Sequence, residues 1–223
     1  MNAEKTSTKQ RIINTAIQLF NSNGYGAVSL FEIAGKMSMT RGNLTYHFKD
    51  KDQLLQAIAD EMWRKIIVER NKSRQLPSFE NLHNEVQLYY RFQKQYAFIF
   101  LDSHVLNHPL IKEKFREMTA QSIRDNEAAL AFAIKSGNLK PEPFKGIYKN
   151  IALNTWILSF FWLSQQIIRG EQSQENGEAV IWSQLLPHFT EKGITAFKAF
   201  FGDDYLDQIG DAFDTKIDNY ISF

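Results

Sequence analysis

Residues 25–55 read YGAVSLFEIAGKMSMTRGNLTYHFKDKDQLL, and this stretch decides the fold. Ser29 and Glu32 have the spacing of a capping box, and the apolar residues that follow recur at helical spacing, which predicts one short helix. Thr40 can cap a second short helix that runs to about Phe48. Two short helices joined by a tight turn are typical of a helix-turn-helix, in which the second helix enters the major groove of DNA.

The second of these helices carries candidate DNA contacts. Leu44 and Phe48 are four residues apart and can anchor it, so we expect five other positions to lie partly outward: Arg41, Asn43, Thr45, Tyr46 and His47. Arginine can read guanine and asparagine can read adenine, whereas threonine, tyrosine and histidine can bind phosphates. Lys49 and Lys51 follow at the start of the next helix, where the side-chain charge and the helix dipole favour a phosphate.

Helical patterns continue on both sides of this stretch. Ser7 and Gln10 can cap a first helix that ends at Gly24, and residues 50–75 predict a long fourth helix. Five further helices fit between the breaks at Pro77, Pro109, Gly137 to Pro143, Gly170 to Gly177 and Gly202. Pro187 predicts a kink within the fourth of them. The last predicted helix is amphipathic and places these residues on one face: Leu206, Ile209, Phe213, Ile217 and Tyr220.

Composition limits the classes of protein that the chain can belong to. Of its 223 residues 43% are hydrophobic, while only 11 Gly and 5 Pro interrupt the helical patterns. The chain contains no Cys, which excludes disulfides and thiolate sites and suits a reducing cytoplasm, where we expect the protein to act. The most apolar stretch, residues 151–168, contains too many polar residues for a membrane span, and the start of the chain does not resemble a secretory signal. We therefore predict a buried helix and no membrane partner.

Charge is unevenly distributed along the chain. Residues 1–75 carry 12 Lys and Arg against 7 Asp and Glu, whereas residues 76–223 carry 14 against 18. The first part is therefore net +5 and the second net −4. This division fits a nucleic-acid-binding head on a more acidic body, although solvated helix faces alone can produce it.

At residues 7–60 the sequence resembles the TetR (tetracycline-repressor-like) family of regulators. The matching motifs are Leu19-Phe20, Gly24-Tyr25, Ser29 followed by Ile33-Ala34, and residues 40–54, which read TRGNLTYHFKDKDQL. The chain departs from the family pattern at three positions: Ser38 replaces the usual Gly of the turn, Thr45 an aromatic residue, and His47 a Tyr.

The resemblance implies an all-α protein with a three-helix head, a linking fourth helix and a variable C-terminal domain. We accordingly expect a DNA-binding domain at 1–52 and a ligand-binding and dimerisation domain at 53–223. The expected function is that of a ligand-responsive regulator, most simply a repressor, which binds a near-palindromic operator as a homodimer. We assign DNA binding to nine residues: Ser29, Thr40, Arg41, Asn43, Thr45, Tyr46, His47, Lys49 and Lys51.

The C-terminal part offers candidates for dimerisation. Residues 144–169 and 178–201 are the strongest, because the first segment is apolar on nearly every side. The same residues can instead pack wholly inside one subunit.

An aromatic-rich region predicts a binding site for a small, largely apolar effector. Its candidate residues are Tyr89, Phe92, Tyr96, Phe100, His104, Trp156 and Phe160. Ordinary core packing is the alternative for each of them. His104 and His108 have a spacing that suits a metal on a continuous helix, but Pro109 predicts a new helix start, so we predict neither a metal site nor a cofactor.

The sequence also bears on two other functional classes. The chain has no glycine-rich phosphate loop, HExxH or GxSxG element, which argues against an enzyme. The alternative function is a helical interaction protein that has lost sequence-specific DNA binding, for which the departures at Thr45 and His47 provide a reason.

Overall fold

The computed structural model describes residues 7–72, 77–168 and 177–210. Within these residues the regular structure is helical, apart from one isolated antiparallel bridge between Leu139 and Phe189. The helices are α1 Thr8–Asn23, α2 Leu30–Lys36, α3 Arg41–His47, α4 Lys51–Lys72, α5 Phe79–Gln95, α6 Ala97–Leu101, α7 Ser103–Leu106, α8 Pro109–Lys135, α9 Ile147–Ile168, α10 Gly177–Leu185, α11 Glu191–Phe201 and α12 Tyr205–Gln208. The prediction of an all-α fold is confirmed.

Hydroxyl caps fix the starts of the three helices in the head, which we define as residues 7–48. Ser7 and Thr40 each accept a hydrogen bond from the backbone N–H three residues on, both at 3.2 Å. At α2 the Ser29 hydroxyl accepts from the Glu32 N–H, and the Glu32 carboxylate accepts from the Ser29 N–H at 2.7 Å. Each cap contributes about 1 kcal/mol. The predicted starts of α1, α2 and α3 are therefore confirmed.

The turn between α2 and α3 contains a strained residue. Ser38 has a φ of 54°, in the left-handed region that residues other than glycine rarely adopt. Glycine enters this region without a steric penalty. This backbone conformation explains why the family that the sequence resembles usually has Gly at this position.

Contacts divide the chain into two compact units. Unit 1 consists of Met1–Lys72 and Arg91–Arg116, and unit 2 consists of Ser73–Tyr90 and Glu117–Phe223. Helices α5 and α8 therefore contribute residues to both units. The units describe compactness, and the functional division between 1–52 and 53–223 stays a prediction.

Unit 1 places α4 against the head. Seven residues of α4 are buried: Leu54, Leu55, Ile58, Ala59, Met62, Trp63 and Ile66. At the start of this helix the Asp50 carboxylate accepts from the Gln53 N–H at 2.8 Å. Further along, the ring of Trp63 lies 4.8 Å from that of Phe115.

Unit 2 has an aromatic core. Its fully or nearly buried members are Leu130, Leu139, Tyr148, Ile151, Ala152, Trp182, Leu185, Phe189 and Phe197. The rings of Trp182 and Phe197 meet edge to face at 5.3 Å. The break predicted at Pro187 is present as a 3₁₀ turn, Leu186–His188, which separates α10 from α11.

After α4 the described residues contain eight helices, where five were predicted. Two of the additional helices arise because the helix predicted between Pro77 and Pro109 is interrupted at Tyr96 and at Asp102, which divide it into α5, α6 and α7. Neither position has a Gly or Pro. Asp102 caps α7 by accepting from the His104 N–H at 2.8 Å. The predicted break after Gly170 and the predicted helix positions Phe213, Ile217 and Tyr220 lie outside the described residues.

Helix α9 is long and predominantly apolar. It is long and apolar enough to cross a membrane by length and composition, and a third of the tested stretch is buried. The core helix of a soluble protein passes the same test. Three of its polar side chains are buried in unit 2: Thr155, Ser159 and Gln166.

Candidate nucleic-acid interface

Helix α3 separates anchoring from exposed side chains. Leu44 and Phe48 are buried, so one face of the helix is held against the core of the head. Tyr46 points away from this face and is 87% exposed. The predicted division of the helix into an anchoring face and an outward face is present.

Two candidate base-reading side chains are available to a ligand. Arg41 and Asn43 are both exposed, and neither side chain makes a hydrogen bond or ion pair within the described part of the chain. The Asn43 backbone N–H, by contrast, is occupied by the Thr40 hydroxyl. Both residues thus lie in the first turn of a capped helix, and the donors and acceptors of their side chains are unused.

Two other α3 residues are only partly exposed. The Thr45 hydroxyl donates to the Gly42 carbonyl at 3.1 Å, within the same helix. The His47 ring lies edge to face with the Tyr46 ring at 5.3 Å. The departures from the family pattern at Thr45 and His47 therefore fall on the sides of α3 rather than on its most exposed face.

The two lysines after α3 lie in different environments. Lys49 is exposed, and its backbone N–H donates to the Gln53 side chain at 3.0 Å. The Lys51 ammonium donates to the Tyr25 carbonyl and lies 4.1 Å from the centroid of the Tyr25 ring. Part of the hydrogen-bonding capacity of the Lys51 ammonium is therefore already used inside the protein, whereas the Lys49 side chain is exposed.

Burial changes the pKa values of Tyr25 and Lys51. Burial, followed by the nearby Asp52 carboxylate, raises the pKa of Tyr25 to about 12. Burial is also the largest influence on Lys51 and lowers its pKa, against the opposing effect of nearby carboxylates. The neighbouring Asp52 carboxylate also lies 3.5 Å from His108 Nε2.

One exposed residue of the helix-turn-helix was missed from the sequence. Phe31, in the first turn of α2, is 70% exposed. It follows Ser29, whose side chain caps the same helix and which is itself exposed. Phe31 falls outside the apolar stripe formed by Leu30, Ile33, Ala34 and Met37, and this mismatch could have identified it.

The seven predicted effector residues fall into different units. Phe92, Tyr96, Phe100 and His104 belong to unit 1, and Tyr89, Trp156 and Phe160 belong to unit 2. In unit 1, Phe92 and Tyr96 stack with ring centroids 5.8 Å apart, while His104 is exposed. In unit 2, Trp156 stacks on Phe160 at 5.4 Å, and the Tyr89 hydroxyl is buried within 2.8 Å of the Ser122 hydroxyl.

The two histidines considered for a metal do not share a helix. α7 ends at Leu106, and His108 precedes the first residue of α8. Among the described residues there is no group of three or more His, Cys, Asp or Glu side chains that could hold a metal ion.

Helix α9 carries an apolar stripe on its exposed side. Leu153, Ile157 and Phe161 are spaced by four residues and are 39%, 39% and 42% exposed. The adjacent helix α10 is joined to α9 by a hydrogen bond of 3.2 Å from the Asn154 amide to Gln184 Oε1. We call these three apolar residues the α9 stripe.

Comparison with known proteins places both parts of the chain in one family. Residues 12–58 match the family model described as bacterial regulatory proteins, tetR family, and residues 67–197 match the one described as bacterial transcriptional repressor. QacR, an HTH-type transcriptional regulator of Staphylococcus aureus, is 30% identical over 145 residues, which cover 60% of this chain and 72% of QacR.

Other relatives match over a shorter part of the chain. The transposon Tn10 TetC protein of Escherichia coli is 51% identical over 51 residues, which make up 23% of this chain and 26% of that protein. The match thus spans about a quarter of TetC.

The fold as a whole has solved counterparts. A TetR-family transcriptional regulator from Marinobacter aquaeolei superposes with a TM-score of 0.77 at 18% identity, covering 93% of this chain and 99% of the other. The capped helix-turn-helix, the two family models and this fold agree, and the chain belongs to the TetR family of bacterial DNA-binding transcriptional regulators.

Proposed function

We propose that this protein is a dimeric, effector-responsive repressor that acts in the cytoplasm and binds a near-palindromic operator through α3. The observation that carries the proposal is the division of α3 described above. Leu44 and Phe48 hold the helix, while Arg41 and Asn43 present unused hydrogen-bonding groups to the outside. A capped helix of this kind suits insertion into the major groove, where base edges are read.

Each candidate contact is given a role by its chemistry and exposure. Arg41 is proposed to read guanine, and Asn43 to read adenine. Phosphate contacts are proposed for the other predicted residues: Ser29, Thr40, Thr45, Tyr46, His47, Lys49 and Lys51. Of the two lysines, Lys49 is the stronger candidate, because the Lys51 ammonium already binds the Tyr25 carbonyl.

A dimer follows from the small reach of α3. Its seven residues span about 10 Å, which corresponds to roughly three base pairs and is too few to select one site in a genome. Two copies related by a dyad solve this by reading inverted half-sites. We place the dimer interface on the α9 stripe, because three large apolar side chains on one helix face favour burial against a second copy.

An effector site is proposed within unit 2, at Tyr89, Trp156 and Phe160. Ligand sites are mostly apolar with a few polar groups that fix orientation. Unit 2 buries one such group beside Tyr89, the Ser122 hydroxyl, which lies 2.8 Å from the Tyr89 hydroxyl. The effector is accordingly proposed to be small and largely apolar.

The substitution Arg41→Ala tests the proposed base reading. We expect operator affinity to fall by about 5- to 150-fold and selectivity to relax at particular base pairs, because one bidentate contact is worth about 1–3 kcal/mol. The measurement is a mobility-shift titration against sequences enriched from a random duplex library and against the DNA upstream of the protein's own gene. Arg116→Ala, an exposed arginine of α8 paired only with Glu113 among described side chains, is the matched control.

Lys49→Ala distinguishes a phosphate contact from a base contact in the same titration. This substitution should weaken binding to all DNA sequences alike. It should also reduce the slope of log affinity against log salt concentration by about 0.9. A wild-type protein that formed no sequence-selective complex would instead support the alternative of an interaction protein. If Arg41→Ala bound the same preferred sequence with unchanged affinity, the proposed role of α3 would be wrong.

Effector binding should change operator affinity by about 5- to 150-fold, which corresponds to a coupling of about 1–3 kcal/mol. The coupling is reciprocal, so operator DNA must weaken the binding of the effector by the same factor. Compounds that raise the melting temperature identify candidates, and calorimetric titration with and without operator measures both affinities. A compound with equal affinity in the two titrations binds without regulating.

A further inference from the structure

The junction between α5 and α6 has an unusual way of satisfying its backbone. Helix α5 ends at Gln95 and α6 begins at Ala97, with Tyr96 between them in a non-helical conformation of φ −119° and ψ 41°. The Tyr96 side chain makes no cap hydrogen bond to α6. Helix ends leave backbone N–H and carbonyl groups without partners, so these groups need capping from elsewhere.

Asn21, near the end of α1, caps one group of each helix. Its Nδ2 donates to the Gln95 carbonyl at 2.9 Å. Its Oδ1 accepts from the Phe98 N–H at 3.0 Å. Phe98 is the second residue of α6, the position whose N–H an N-cap side chain normally binds. One amide from the head therefore caps the end of one helix and the start of the next, more than 70 residues away in sequence.

The side chains of the junction pack on the head and α4. The Phe98 ring lies 5.1 Å from Phe20 and 6.3 Å from Tyr25, and the latter pair is stacked. The Tyr96 hydroxyl lies 3.4 Å from the Lys65 ammonium of α4. All of these residues belong to unit 1. The apolar contacts hold the junction close to the head, but rings can slide, whereas the two hydrogen bonds of Asn21 fix its register.

We infer that Asn21 is a positioning residue, which sets the orientation of the DNA-binding head on the α5–α6 junction. This inference rests on the proposed function. The head is also attached through α4, which follows it directly in the chain. Asn21 adds a second, directional attachment from α1, which restricts rotation of the head further.

The inference separates orientation from base reading. Asn21 lies outside α3, so its loss should leave the preferred half-site sequence unchanged. A head that rotates more freely should, however, bind a displaced half-site with a smaller loss of affinity. Inserting one base pair at the centre of an operator moves one half-site by about 3.4 Å and rotates it by roughly 34°. Tolerance of this insertion therefore measures the stiffness of head attachment.

The test compares wild type, Asn21→Asp and Asn21→Leu on two duplexes, the operator selected by the wild-type protein and the same duplex with one central base pair inserted. We expect the insertion to weaken wild-type binding by about tenfold or more, and Asn21→Leu binding by about threefold. Asn21→Asp keeps the acceptor for Phe98 but loses the donor to Gln95. The factor by which the insertion weakens its binding should therefore lie between those of wild type and Asn21→Leu. Asn23→Leu is the matched control, because Asn23 is an exposed residue of the same helix.

Hydrogen exchange provides a readout that needs no DNA. The Phe98 N–H should exchange about tenfold faster in Asn21→Leu than in wild type or Asn23→Leu, since it loses its partner. The positioning role would be overturned if Asn21→Leu exchanged faster but the insertion weakened its DNA binding as much as it weakens that of wild type. Unchanged exchange would overturn the cap itself. If the wild-type protein selected no DNA sequence, the proposed function would fail, and the exchange measurement would still decide whether Asn21 caps the junction.

Discussion

Ile157→Arg is expected to convert the proposed dimer into monomers and to weaken operator binding by about 10²- to 10⁴-fold. Ile157 is the central residue of the α9 stripe, flanked by Leu153 and Phe161 at a spacing of four residues. A guanidinium at the centre of an apolar interface loses water without gaining a partner, and two-fold symmetry introduces this charge from both subunits. A monomer binds each half-site independently and loses the effective concentration that joins the two heads.

The matched control for this experiment is Ile67→Arg. Ile67 lies on α4 and is 41% exposed, close to the 39% of Ile157, so the chemical change is the same and the solvent exposure nearly so. Sedimentation velocity at micromolar concentration should give a monomer for Ile157→Arg and a dimer for the control. A dimer in both, with full operator affinity, would place the interface elsewhere.

Gly193→Ala should lower the free energy of unfolding by about 3 kcal/mol, near the upper end for a single overpacking substitution. A Cβ at Gly193 would lie 2.1 Å from the Asn138 carbonyl oxygen and 3.0 Å from its carbonyl carbon. Both are backbone atoms, so no side-chain rotation relieves the clash. The Asn138 carbonyl also accepts from the Thr190 N–H at 3.0 Å, and displacing it would disturb the cap of α11.

Thermal and urea unfolding measure this loss, which corresponds to a fall in melting temperature of roughly 6–12 °C for a chain of this size. Gly35→Ala is the control, because an added Cβ there meets no atom within 4 Å and Gly35 lies inside α2. Alanine is a better helix former than glycine, so this variant should be as stable as wild type or slightly more stable. Equal melting temperatures for Gly193→Ala and wild type would contradict the predicted clash.

Local patterns predicted the head well because its helix starts depend on residues close in sequence. Ser29 and Glu32 form their capping box within four residues, and Thr40 caps α3 in the same way. Short-range chemistry of this kind can be found by spacing alone. The exposure of Arg41 and the burial of Leu44 then followed from the helical period.

The break at Tyr96 could not be predicted because its cause is distant in sequence. The residues around it are compatible with a continuous helix, and the hydrogen bonds that stabilise the break come from Asn21. Lys51 illustrates the same limit in the candidate site. The Tyr25 carbonyl that binds its ammonium lies 26 residues away, so local spacing could not predict this contact.

The separation of side chains on α3 has a consequence for divergence among gene copies. Tyr46 and the other outward residues contribute little to the buried core, so substitutions there should change the free energy of unfolding by less than about 0.5 kcal/mol. Leu44 and Phe48, in contrast, are buried and tolerate little change. After a gene duplication, one copy can therefore acquire a new operator through a few surface substitutions, without compensating changes in its core.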